Sequence, residues 1–191
     1  AITLELLGHG ALHGNPGLRL RGVENLRIFK GVALREGEAI QVRVCADKAQ
    51  KVDGVFVVPT ELCSTDDNGA RILHARATIN LGNTLQQAPA AAAAAVLPPY
   101  PRTVADAYSQ QLFHGQHLQG LTSVVGCATD IDEHASIIAH CDSAPPPKSW
   151  VHQPLRSRWI ADPLALDCAF QLMILWSLEA NQQASLPTSI G

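Results

Sequence analysis

No CxxC pair occurs among the five cysteines, Cys45, Cys63, Cys127, Cys141 and Cys168. Their odd count and wide spacing fit reduced, mostly buried thiols better than a disulfide framework or a zinc site. Positive charge is not in excess, since 14 Lys and Arg stand against 17 Asp and Glu. That balance argues against a nucleic-acid partner, which selects basic patches. No long hydrophobic run is present. The longest, Leu164 to Leu178, is about 15 residues, is interrupted by Asp167 and Gln171, and falls short of the ~20 a membrane span needs. The opening AITLELLGHGALHG carries no basic start and no cleavage signal, so secretion is not expected and a cytoplasmic location is. No GxGxxG follows a strand and no Cys/His cluster has ligand spacing, so neither a dinucleotide nor a transition metal is expected. What the 191 residues do hold is apolar matter, 47% against 16% charged. That is enough to build a core, in one domain or in two small halves.

Residues 2–13, ITLELLGHGALH, read as a helix stopped by Gly14, Asn15, Pro16 and Gly17. Strand-like segments follow at 18–34, 39–46, 54–62 and 71–81. In the last, Leu73, Ala75, Ala77, Ile79 and Leu81 share one face, and His74, Arg76, Thr78 and Asn80 take the other. Asp66-Asp67-Asn68-Gly69 is a turn joining the last two strands as a hairpin. Residues 88–101, APAAAAAAVLPPYP, read as a linker, or as a short helix held between positions 90 and 97 by the flanking prolines. The second half opens at Arg102, with strands at 121–129 and 134–141, a loop at 143–149, and a strong helix over 161–180. The organisation is therefore 1–87, a linker at 88–101, and 102–191. Each half has one helix and an antiparallel sheet.

The last helix carries the chemistry. Asp162 is suited to cap it, with Pro163 at its first position. From Leu164 onward it is apolar on nearly every face, which predicts burial. A sheet wrapped round one buried helix is the hotdog arrangement. Asp167 and Gln171 interrupt the apolar surface at i, i+4, share a face, and can hydrogen-bond each other. Burial favours the protonated form of a carboxylic acid, and such an acid beside an amide suits general acid catalysis. The same pair could equally be an Asp satisfying a polar neighbour in the core.

Other histidines are weaker signals. His9 and His13 have a metal-capable i, i+4 spacing, but no third ligand is evident and Gly8 and Gly10 weaken the helix. His114 and His117 flank Gly115 and either line a channel or face solvent. His134, His140 and His152 carry no visible chemistry, and Trp150, Trp159 and Trp176 read as packing.

LALDCAFQ, preceded by Asp162-Pro163, resembles the DxxxQ segment of dehydratase domains from type I polyketide synthases. LFHGQHLQGL (112–121) resembles that family's LFHG-xx-FQGL segment, and GLRLRGVENLRIFKGVAL resembles the strand after its first helix. LPTSIG resembles the start of the strand after its second helix. The LFHG variant is most similar to polyunsaturated fatty acid, heterocyst-glycolipid or enediyne synthases. Order and spacing of these motifs cover most of the chain.

The resemblance implies an α+β double hotdog. It implies loss of water from a 3-hydroxyacyl thioester on an acyl carrier protein. Asp167 would be the acid and Gln171 its orienting partner, with His114, Gly115, His117 and Pro163 at the substrate. No cofactor is implied beyond the phosphopantetheine of the carrier. The implied partners are that carrier protein, the other domains of the same synthase and a second copy in a homodimer. The family's base is a His in an HxxxGxxxxP segment before the first helix. His13 to Gly17 spells HxxxG, but Gly22 stands where Pro should be, and the segment follows the helix. The base is therefore expected outside this sequence, and the sheets are expected to be truncated at both ends. Gln116 replaces the usual Pro, Leu118 the usual Phe, and His114 the Tyr of many relatives. Two other readings stay open: a non-catalytic pseudo-dehydratase scaffold, and a hotdog thioesterase or product-template cyclase.

Overall fold

The computed structural model describes residues 1–35, 37–85, 87, 90, 96–130, 135–186 and, for the backbone alone, 189–190. The chain divides into two compact units, one of Ile2–Pro89 with Thr188–Gly191, the other of Ala1 with Ala90–Pro187.

In the first unit a helix, α1 (Ile2–His13), precedes an antiparallel sheet of β1 (Arg19–Ile28), β2 (Arg43–Ala46), β3 (Gln50–Val52), β4 (Val55–Thr65) and β5 (Arg71–Gly82). The strand order is β2-β4-β5-β1, with β3 also on β4. The short strand β8 (Ser189–Ile190) joins the far side of β1, opposite Arg27 and Leu26. The C-terminal segment read as part of the second half thus adds a strand to the first.

α1 lies on this sheet and buries Leu4, Leu7, Ala11 and Leu12. Gly10 lets the helix pass close to the sheet, because a Cβ there would collide with Val44 of β2. The inward face of β5 is the alternating set Ala75, Ala77, Ile79 and Leu81, each at most 2% exposed. The hairpin at Asp66 forms as its sequence suggests. The Asp66 carboxylate accepts the Asn68 and Ala70 N–H groups, and Gly69 takes φ +80.

One residue breaks the alternation. The β4–β5 register slips between Leu62 and Cys63, which leaves His74 as an extra residue in β5. His74 is buried instead of facing solvent with Arg76. Its Nε2 faces the Ser64 hydroxyl at 2.8 Å and its Nδ1 the Lys30 carbonyl at 3.0 Å. The His74 carbonyl takes both the Phe29 and Lys30 N–H groups. That is where β1 ends, so the strand expected to reach residue 34 stops at Ile28.

The second unit contains α2 (Val104–Gln110), the hairpin of β6 (Leu121–Ala128) and β7 (Ser136–Cys141), and α3 (Pro163–Asn181). Residues 97–100, read as the end of a linker, run beside β6: Pro99 bridges Gly126 and the Pro98 carbonyl takes the Cys127 N–H. Most of the alanine run, and His134, lie outside the described residues. Asp162 caps α3 by accepting the Leu164 and Ala165 N–H groups, and its carboxylate also takes the Ala144 N–H.

The core of this unit joins Tyr100, Ala107, Leu112, Leu121 and Cys127 to Leu164, Cys168, Ile174 and Leu175 of α3. The burial expected all round α3 is found along one stripe. Met173 is 49% exposed and Ala169 is exposed too, because the packing partners lie on the opposite side. By length and composition α3 could cross a membrane. Its side chains behave as those of a core helix: the Trp176 indole N–H donates to the Ala128 carbonyl, and Gln171 is fully buried with hydrogen-bond partners on other segments. The five thiols are free, three of them buried.

A candidate active site on the central helix

Asp167 and Gln171 lie on the buried stripe of α3, 9% and 0% exposed. A polar pair in such a place requires partners, and each is supplied. The Gln171 Nε2 group donates to Asp167 Oδ2 at 2.8 Å and to the Leu118 carbonyl at 2.7 Å. Gln171 Oε1 accepts from the Tyr108 hydroxyl at 2.8 Å, and that hydroxyl in turn accepts the Leu121 N–H at 2.9 Å.

The loop before β6 delivers the next group. Gly120 lets this loop press on α3, since a Cβ there would stand 2.6 Å from Leu164 Cγ and 2.8 Å from Cys168 Sγ. The turn Gln116–Leu118 precedes it. His114 stands just ahead, held by two contacts: its ring stacks on Phe113 with centroids 4.5 Å apart, and its carbonyl accepts from the Gln119 amide. His114 Nε2 lies 3.4 Å from Asp167 Oδ2. Its side chain is 9% exposed, and its Nδ1 is buried with no hydrogen-bond partner among the described residues. Burial lowers the His114 pKa, against the pull of the Asp167 carboxylate that raises it. The imidazole is thus biased to its neutral form, with one nitrogen free to take or give a hydrogen bond.

Of the residues named from sequence, Asp167, Gln171 and His114 come together. Pro163 is buried one turn before Asp167 on the same helix. Gly115 and His117 are exposed beside His114. The sequence reading missed Tyr108. The helix that carries it was signalled by Thr103 and Asp106, which form a capping box. Cys168, next to Asp167, is pushed up to about 12 by burial and so is a thiol, not a nucleophilic thiolate. In α1 the His9 and His13 rings are 6.4 Å apart, and among the described residues no group of three or more His, Cys, Asp or Glu converges on a metal position.

No family model matches the chain. A polyunsaturated fatty acid synthase subunit of Thraustochytrium sp. is 28% identical over 182 residues, which is 92% of this chain and 6% of that much longer protein. The crystal structure of the dehydratase domain of RzxB from Pseudomonas fluorescens superposes with a TM-score of 0.59 at 16% identity, covering 88% of this chain and 57% of that one. In fold this chain is a hotdog like the RzxB dehydratase domain on which it superposes, and in sequence it is similar to a stretch of a polyunsaturated fatty acid synthase subunit.

Proposed function

We propose that this chain is the acid-bearing part of a dehydratase that removes water from a 3-hydroxyacyl chain. The acyl chain is carried as a thioester on the phosphopantetheine of an acyl carrier protein, within a larger synthase. The observation that supports it is the Asp167–Gln171 pair: a carboxylic acid on a buried helix, held by an amide N–H and faced by a histidine.

Dehydration needs a base for the α-proton and an acid for the β-hydroxyl. Asp167 protonates the departing hydroxyl, so the C–O bond breaks with water as the leaving group. The electron pair of the broken α C–H bond becomes the new double bond, and the base keeps the α-proton. On this reading the base is a histidine supplied from outside this sequence. Gln171 holds Asp167, and His114 stands beside the acid on the substrate side. Gly115 and His117 border the entry, and Pro163 opens the helix on which the acid stands. Beyond the carrier's phosphopantetheine the reaction as drawn uses no cofactor, and the parent assembly is a homodimer. A general acid is worth roughly 10²–10⁴-fold in rate. The test is turnover of a 3-hydroxyacyl carrier protein by the domain in its natural flanking sequence, wild type against Asp167→Asn, read as loss of water by mass spectrometry.

A further inference from the structure

A glutamine amide is nearly symmetric in shape, so its neighbours decide which end is oxygen. At Gln171 they decide it twice. The Leu118 carbonyl can only accept, so the atom 2.7 Å from it is the NH₂ nitrogen. On the other side stands the Tyr108 hydroxyl, which already accepts the Leu121 N–H. Its single proton is therefore free to donate, and the atom 2.8 Å away is Oε1. Burial pushes the Tyr108 phenol up from its ordinary value, so it remains a proton-bearing donor at neutral pH. The two constraints agree, and both turn the NH₂ group toward Asp167 Oδ2.

That orientation has a chemical consequence. An oxygen that accepts an N–H is the poorer place for a proton, so the proton that the proposed acid delivers belongs on Oδ1. If the amide were turned over, its oxygen would face Asp167 and would draw that proton to Oδ2, into a bond with Gln171. We propose that Tyr108 is a positioning residue for the acid: by donating to Gln171 it holds the amide in the orientation that leaves the transferable proton of Asp167 on Oδ1. The relay runs from the Leu121 backbone at the start of β6, through Tyr108 on α2, to α3. This inference rests on the reading of Asp167 as the dehydration acid.

The test is Tyr108→Phe in the domain with its natural flanking sequence, assayed with a 3-hydroxyacyl carrier protein. Because Leu118 still orients the amide, the expected loss is partial, about tenfold in kcat with KM within about twofold, as for a group felt in the transition state alone. Since Tyr108 acts through Gln171, the same change made in a Gln171→Leu background should cost no more than that background already does. Wild-type kcat for Tyr108→Phe, or a further tenfold loss in the Gln171→Leu background, overturns the inference. A neutron structure of the wild type gives a readout that needs no variant. Deuterons on the Gln171 atom facing Asp167 support the inference, and deuterons on the atom facing Tyr108 overturn it. Asp167→Asn separates the two levels. If it is inactive while Tyr108→Phe is wild type, only the inference falls. If it keeps wild-type turnover, the dehydratase reading falls and takes the inference with it.

Discussion

Replacing Gly120 by alanine should disturb the site without touching any polar group in it. A Cβ at Gly120 would lie 2.6 Å from Leu164 Cγ, 2.7 Å from Leu164 Cδ1 and 2.8 Å from Cys168 Sγ. All three are well inside the usual contact distance of about 3.5–4.0 Å. Neither neighbour can retreat into solvent, because Leu164 is 6% exposed and Cys168 1%. The overlap must be relieved by moving the loop, or the turn of α3 that also carries Asp167. Overpacking of this kind costs about 1–3 kcal/mol. Leu164→Ala alone should cost about 2–5 kcal/mol through the cavity it leaves. In the double variant the new methyl group enters the space that Leu164 vacates, so the total should fall short of the sum by about 1 kcal/mol or more. Urea denaturation of the four proteins measures this, with the midpoint read at a common slope. Turnover should follow the same order, with Gly120→Ala impaired and the double variant partly restored. Stabilities that add to within about 0.5 kcal/mol would mean that the two positions do not compete for space, and the close approach would be wrong.

Gln171→Leu takes a hydrogen-bond partner from Asp167, from the Leu118 carbonyl and from the Tyr108 hydroxyl, which keeps only the Leu121 N–H. At about 1–3 kcal/mol for each unsatisfied group, the variant should be clearly destabilised by chemical denaturation, yet it should lose less turnover than Asp167→Asn because the acid itself remains. A pH series tests the setting of His114. Its folded pKa is held below the ordinary value of about 6.5, so the unfolded chain binds that proton more readily. Its contribution to stability is complete above about pH 6.5 and is lost as the pH falls below that. His114→Gln should flatten the acid side of the stability curve, and an unchanged curve would show that His114 is not buried as described.

Some of this was readable from local chemistry. Gly14-Asn15-Pro16-Gly17 ends α1, Asp66 and Gly69 make the hairpin, and Asp162-Pro163 starts α3. Each is a signal contained within a few residues. Asp167 and Gln171 were legible for the same reason, being one helical turn apart. What escaped depends on contacts distant in sequence. His114 meets Asp167, and Tyr108 meets Gln171, across 53 and 63 residues, and no spacing rule brings them together. Alternation puts His74 on the solvent face because it assumes an unbroken ladder. One extra residue opposite Leu62 and Cys63 turned it inward. The capping box of α2 was legible at Thr103 and Asp106, but seven residues were too few to show a period.

The most direct measurement compares wild type and Asp167→Asn on a 3-hydroxyacyl carrier protein. It uses the domain in its natural flanking sequence and follows formation of the enoyl thioester. The substitution keeps the shape of the side chain and its place beside Gln171, and removes the transferable proton. Turnover is expected to fall by roughly 10²–10⁴-fold, with circular dichroism and denaturation midpoint close to wild type. A folded Asp167→Asn protein that turns over within a few-fold of wild type would contradict the assignment of Asp167 as the acid.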